Sequence, residues 1–274
     1  MPETIRRLLH TPQGAIGSVI VVIVLLAAIF GPWLAPDNPE TFNYGNRFEG
    51  PSAQFLFGTD QFGRDLFSRI LHGAQSTVLM AIFATVIGTG IGAVIGTGSA
   101  YLGGRFDELV MRLVDAVMAI PNLLFALLIV TALGASGVNA LVAIGIAFAP
   151  GMARIARSVA LTVREQDYVK AAIARGESAG YIILREMLPN VIAPIVVEMT
   201  IRVAFAIMLL ATLSFLGLGA QPPSSEWGLM VSEARSYMFR NAWMMIWPGA
   251  CIAVVAIGFN LLGDGLRDAL NPKT

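Results

Sequence analysis

The chain has 274 residues, of which 56% are hydrophobic and 13% charged, and 18 lysines and arginines balance 18 aspartates and glutamates. A mean hydropathy of +0.71, with a charged fraction far below the ~25% of soluble domains, makes it an integral membrane protein. Zero net charge leaves no basic field for nucleic acid and no acidic tail, and the single cysteine, Cys251, cannot form an internal disulfide.

A bilayer core takes about 20 mostly apolar residues per helix. Six segments qualify, 15–34, 77–101, 109–133, 139–156, 191–215 and 243–262, which predicts an all-α, six-span protein. Arg6 and Arg7 precede the first run as in a signal peptide, but Ile29, Phe30, Gly31 and Pro32 offer no small-x-small cleavage site, so it is read as an uncleaved span. An even number of spans puts both termini on one side. Arg6, Arg7, Arg105, Arg154, Arg157, Arg164, Lys170, Arg175, Arg185, Arg267 and Lys273 fall on the terminal side, against Arg47, Arg64, Arg69, Arg235 and Arg240 opposite. The positive-inside bias therefore predicts cytoplasmic termini. The expected organisation is an N-terminal tail and first span (1–36), an extracytoplasmic loop (37–74), a five-helix core (75–262) and a cytoplasmic tail (263–274).

Within the first outer loop, residues 59–74 alternate Asp60, Arg64, Asp65 and Arg69 with Phe62, Leu66, Phe67, Ile70 and Leu71. This pattern predicts an amphipathic helix at the outer membrane interface, which either plugs the bundle's outer rim or offers a docking surface to a solute-binding protein. Gly88, Gly92 and Gly96 recur every fourth residue in the second span and predict a flat face for close helix approach. Pro121 and Pro150 each remove a helical hydrogen bond and are expected to kink the third and fourth spans. Charges inside spans are costly. Arg112 with Asp115, and Glu198 with Arg202, lie one helical turn apart and are expected to neutralise each other near the inner interface.

The most distinctive segment is polar: residues 161–190, between the fourth and fifth spans, carry Arg164, Glu165, Asp167, Lys170, Arg175, Glu177, Arg185 and Glu186. Asp167 is expected to N-cap a short helix over 168–175, with Gly176 as a left-handed C-cap. A second short helix is predicted over 178–188, with Pro189 at its end or at the start of the next span. Ala171 and Ala172 leave one face of the first helix nearly bare for a partner's groove. A compact polar segment kept in water by a membrane protein is expected to face a soluble partner.

Catalytic chemistry finds no support in the residue set. Gly134, Ala135, Ser136 and Gly137 match a Gly-x-Ser-Gly string of intramembrane serine proteases, but the only histidines, His10 and His72, precede the first and second spans. Four small residues between spans read as a tight turn. Neither Lys170 nor Lys273 lies in a Gly-Lys-Ser/Thr phosphate loop, so ATP hydrolysis would have to come from another chain. Two distant histidines and one cysteine make no metal-ligand set. An ion-coupled secondary transporter is the competing class, against which the intramembrane charges look self-paired.

Ala171, Ala172, Gly176 and the Leu188-Pro189 pair resemble, in type and spacing, the coupling motif of ABC-importer permeases. Three further stretches are similar to the dipeptide/oligopeptide-type permeases. These are Phe57 to Ala74, with Gly58, Thr59, Asp60, Gly63, Arg64, Asp65, Ser68 and Arg69 as an outer-loop signature; Phe215 to Gly219 with Pro222 to Gly228; and Asn260 to Pro272. Together they cover the chain from end to end. The sequence departs from the family pattern at Lys170, where glutamate is usual, and at Glu186, where histidine is frequent.

The resemblance implies a type I importer permease paired with a homologous permease, its first span wrapping that partner. It further implies two ATPase subunits that bind ATP and Mg, an extracytoplasmic solute-binding protein, and residence in the bacterial inner membrane. ATPase coupling would fall to Asp167, Tyr168, Lys170, Ala171, Ala172, Arg175, Gly176, Glu177, Leu188 and Pro189. Dipeptides or oligopeptides are the implied solutes, with nickel complexes or oligosaccharides as alternatives within the same permease type.

Overall fold

The computed structural model describes residues 2–270, which form helices and connecting loops. In chain order these are α1 (Pro2–His10), α2 (Pro12–Leu34), a 3-10 turn (Tyr44–Asn46), α3 (Leu66–Leu102), α4 (Gly104–Met118), α5 (Asn122–Leu133), α6 (Gly137–Arg164), α7 (Asp167–Ala174), α8 (Ala179–Phe215), α9 (Trp227–Ala234), a second 3-10 turn (Arg235–Tyr237) and α10 (Trp243–Leu270). Five of them, α2, α3, α6, α8 and α10, are each long and apolar enough to cross a bilayer. At 1.5 Å per residue, the 37 residues of α3 and of α8 reach ~55 Å, well beyond a ~30 Å hydrocarbon core, so both helices project past it.

The third expected span is not one helix. α4 and α5 meet at a bend of 88°, and the 12 residues of α5 are too short to cross alone. Pro121 has no N–H to continue the ladder and drives Ile120, the residue before it, out of helical conformation, so the chain breaks where only a kink was expected. Pro150, by contrast, sits inside α6, which remains a single element from Gly137 to Arg164.

Small residues bring α3 and α6 together. A Cβ at Gly88 would lie 2.5 Å from the Gly145 carbonyl oxygen, one at Gly92 2.6 Å from that of Ala149, and one at Gly96 2.2 Å from that of Ala153. The four-residue glycine spacing is thus a contact stripe along which backbone meets backbone. Gly90 and Gly98, off the stripe, face open space. α2 lies against α10, where Gly17 meets the backbone of Leu262 and Gly258 meets Ile20, so the first span packs on its own chain's core.

Two apolar clusters follow from this arrangement. One, around Leu66, Val78, Ile144, Phe148, Ile207, Leu210 and Trp227, fills the spanning bundle. The other, around Met152, Val163, Val169, Ala172, Ile182, Met187 and Val191, lies at the α7 end and ties that short helix to α6 and α8.

The 59–74 segment is the chief departure in the first loop. Residues 59–65 form a tight turn closed by a bridge between Thr59 and Asp65, and the helix starts only at Leu66, where it is already the first turn of α3. Asp65 accepts from the backbone N–H of Phe67 and Ser68 and caps that helix. The charges read as the wet face of an interfacial helix are buried, which removes the physical basis for that reading.

Candidate functional site

The segment joining α6 to α8 stands at one end of the bundle. α6 ends at Arg164, Gln166 takes an extended conformation, and α7 begins at Asp167, which is therefore the first helical residue and not the cap. Val169 and Ala172 are fully buried against Ile182 and Met187. Ala172 therefore serves close packing within the chain, leaving Ala171 on the open side. The face turned outward carries Tyr168, 38% exposed, and Ile173, 47% exposed. An exposed apolar knuckle, fixed by two buried residues behind it, is a surface suited to a partner's groove.

Gly176 closes α7 as its spacing predicts. Its φ is +75°, Gly176 N–H donates to Ile173 O at 3.0 Å, and Glu177 N–H donates to Ala172 O at 3.2 Å. Those two bonds are the paired contacts of a Schellman turn, which requires the left-handed conformation that glycine adopts at least cost. Ser178 then caps α8, its hydroxyl accepting from Tyr181 N–H at 3.3 Å.

No second short helix follows. Residues from Ala179 run without interruption to Phe215, through a π-helical stretch at Ile182–Met187. Pro189 cannot donate to the preceding turn, and the wider π turn upstream absorbs the misfit, so the helix shifts register where it was expected to end. Leu188 is half-buried against the α7-end cluster, while Pro189 is exposed. Only the short turn at Gly176 separates α7 from the spanning helix α8.

Both residues that depart from the family pattern have partners in this chain. Lys170 Nζ lies 3.4 Å from Glu165, and Glu186 lies 3.7 Å from Arg175, which also approaches Glu177 at 3.7 Å. Partial burial first, and the Glu186 charge second, raise the Tyr168 phenol above its ordinary range, with a hydrogen bond to Asn190 partly offsetting them.

At the opposite end the outer-loop signature folds into a buried polar cluster. Asp60, with no exposed surface, accepts at Oδ1 from the N–H of Phe62 (2.8 Å) and Arg64 (3.0 Å), and at Oδ2 from Arg64 Nε (2.6 Å) and Arg69 Nη1 (2.8 Å). Arg69, only 1% exposed, also donates to Glu233 at 3.1 Å and to Ser224 O at 3.3 Å, and Arg64 reaches the same Glu233 carboxylate at 3.3 Å. Ser68 Oγ donates to Asp65 and accepts from Asp37 N–H. Gly63 has a φ of +75°, and any Cβ there would fall within 1.7 Å of Asn43 O. Gly58 is also left-handed, and Thr59 Oγ1 accepts from Glu49 N–H. Asn241 joins this loop to the next by donating to the carbonyls of Glu49 and Thr59.

The signature thus clamps the first loop, the start of α3 and the loop around α9 into one unit. Burial of charge is tolerable here because two arginines and two carboxylates sum to zero and satisfy one another. Glu226 completes the second loop: its carboxylate caps α9 through Gly228 and Leu229 N–H, both at 2.8 Å, and burial holds its pKa above the usual carboxylate range against those bonds. The resemblance had already drawn attention to Glu226 and its neighbours, but Glu233 and Asn241 stood alone in the sequence with no motif to mark them.

One of the two expected intramembrane pairs is absent. Arg112 pairs with Glu108 at 2.5 Å, and Asp115 pairs with Arg154 on α6, because the helical face that presents Asp115 turns toward α6. Asp107 likewise binds Arg157 of α6 at 2.5 Å. Glu198 and Arg202 do pair, at 3.3 Å, but halfway along α8 and not at its end. Ser136, the nucleophile of the protease-like string, accepts from Asn139 N–H and caps α6. His72 Nδ1 instead lies 3.0 Å from Ser68 O.

Long spanning helices, one helix pair bent by 88° and a short helix held between two spans at one end define a membrane permease of the type I importer fold. The fold superposes on a chain of the inward-facing MetNI methionine ABC transporter with a TM-score of 0.57 at 18% identity, over 74% of this chain and 97% of that one. Residues 88–274 match the family of binding-protein-dependent transport system inner membrane components, and residues 2–51 match the N-terminal TM domain of oligopeptide transport permease C. A putative peptide transport system permease of Brucella suis biovar 1 (strain 1330) is 44% identical over 98% of this chain and 91% of its own. The probable D,D-dipeptide transport system permease of Escherichia coli (strain K12) is 43% identical over 96% and 88%, and the glutathione transport system permease of Shigella sonnei (strain Ss046) 41% over 98% and 89%. The chain belongs to the family of binding-protein-dependent transport system inner membrane components: it is a multi-pass inner-membrane permease of an ABC importer.

Proposed function

We propose that this chain is one half of the transmembrane pair of a peptide importer, and that α7 is the helix on which a separate ATPase subunit docks. The observation that carries the reading is the α7 knuckle, with Tyr168 and Ile173 outward, Val169 and Ala172 locked inward, and Gly176 turning the chain directly into α8. Because α8 continues from Ala179 to Phe215, a push on α7 passes across the short Gly176 turn into a helix that is itself long enough to span the membrane. Asp167, Lys170, Ala171, Arg175 and Glu177 border the knuckle, and Leu188 and Pro189 mark the register shift beneath it.

ATP and Mg belong to two ATPase chains, and solute arrives from an extracytoplasmic binding protein. Both termini and α7 are cytoplasmic in this reading, as the excess of arginine on that face supports. A short peptide is the solute, because the relatives above are named for peptides, a dipeptide and glutathione.

Gly176→Val tests the coupling role. No neighbour lies within 4 Å of a Cβ at this position, so the variant acts through the left-handed backbone alone, at about 1–2 kcal/mol. The spans hold most of the stability, and the expected protein inserts at normal abundance and pairs with its partner permease, yet loses uptake and retains less ATPase on purification. Normal uptake with full ATPase recovery would remove the α7 turn from the mechanism.

A further inference from the structure

The Glu198–Arg202 pair lies inside α8, a helix long and apolar enough to cross a bilayer, and charge inside a span is costly. Pairing lowers that cost but does not use up the guanidinium. Glu198 Oε1 stands 3.3 Å from Nε, and no acceptor among the described residues takes Nη1 or Nη2.

Arg202, which carries those two nitrogens, lines a cavity of about 300 Å³ at the α4/α5 break with Met118, Pro121, Asn122 and Gly151. α6 makes room for them: a Cβ at Gly151 would lie 2.9 Å from Nη2, and one turn earlier the Phe148 ring centre is 5.5 Å from Cζ. The guanidinium is therefore held against α6 by a ring and an omitted side chain, at the edge of the cavity that Arg202 and Gly151 both line. The first turn of α5, whose amides no side chain caps, borders the same space. A buried arginine with spare planar donors suits a carboxylate. On its other side, Glu198 lines a separate cavity of about 420 Å³ with Arg267.

We propose that Arg202 is a solute-contacting residue of the permease, receiving a carboxylate of the transported peptide at the α4/α5 break and so favouring acidic over basic peptides in transit. This rests on the peptide-import reading. Glu198 is its positioning residue, neutralising the guanidinium while the cavity is empty.

The test uses the complete importer in proteoliposomes with one binding protein throughout, and compares uptake of alanyl-aspartate and alanyl-lysine. Because the binding protein is unchanged, its own preference cancels when variants are compared with the unaltered complex. Arg202→Gln is expected to lower the aspartate-to-lysine uptake ratio about tenfold, the worth of one charge-assisted hydrogen bond. Arg202→Lys should retain most of the ratio, and Glu198→Gln should raise it. If Arg202→Gln does not reach the membrane, Gly151→Ala keeps the charge but displaces the guanidinium and should lower the same ratio. An equal loss of both peptides, or an unchanged ratio, overturns the assignment and leaves Arg202 to the fold or to a contact with the partner permease. Absence of peptide uptake by the unaltered complex overturns the peptide reading and the assignment together.

Discussion

Replacing Arg69 by methionine should show what holds the loop end together. The side chain donates to Asp60 at 2.8 Å and Glu233 at 3.1 Å, and lies 3.5 Å from Ser225 Oγ, all while 1% exposed. Asp60, Glu233, Arg64 and Arg69 together sum to zero charge; without Arg69 the buried set carries one uncompensated negative charge. Removing one member of a buried, hydrogen-bonded ion pair costs about 3–5 kcal/mol. In a chain of this size that lowers Tm by roughly 10 °C.

The double variant Arg69→Met/Glu233→Gln restores neutrality, because Asp60 keeps Arg64 at 2.6 Å. Its cost should therefore fall below the sum of the two single costs by about 1–3 kcal/mol, the usual coupling within one network. Thermal unfolding of the detergent-purified permease pair, followed at a fixed heating rate for the four proteins of the cycle, measures this. A single variant that melts with the unaltered protein, or a double variant whose cost is simply additive, would refute the idea that charge balance inside the clamp stabilises it.

Two further outcomes are expected. Burial raises the Glu226 pKa, so the folded state holds that proton more tightly than the unfolded one; the stabilisation is complete below the ordinary value of 4.5 and is lost as pH rises through the raised folded value. Tm should accordingly decline with rising pH across that window, and Glu226→Gln, which keeps an acceptor for Gly228 and Leu229 N–H, should flatten the decline; an identical pH profile in the variant would dismiss the titration. For orientation, Glu177→Cys in a Cys251→Ala background should react with impermeant thiol reagents only from the cytoplasmic side and Asn46→Cys only from outside, and the reverse pattern would place α7 away from any ATPase.

What could be read from sequence alone was local. Apolar runs of bilayer length specify spans whatever their neighbours, a four-residue glycine repeat specifies a flat helix face, and a glycine after a short helical run specifies a left-handed turn. Gly176 and the Gly88, Gly92 and Gly96 stripe follow those rules because backbone sterics settle them within a few residues. Partnership between charges is not local. Arg112 and Asp115 stand one turn apart, yet Asp115 is drawn to Arg154, 39 positions away, and Arg64 and Arg69 meet Glu233 across more than 160.

The alternation in 59–74 is a true property of the sequence, but it cannot distinguish a polar face turned to water from one turned to a second loop that neutralises it. Only the packing of α9 over the start of α3 decides between them, since burial becomes affordable once the opposite charges are within hydrogen-bond reach. The break at Pro121 against the continuity at Pro150 has the same origin. A proline removes one bond in either place, and the tertiary surroundings determine whether the helix stays whole or turns through 88° to open the cavity that Arg202 faces.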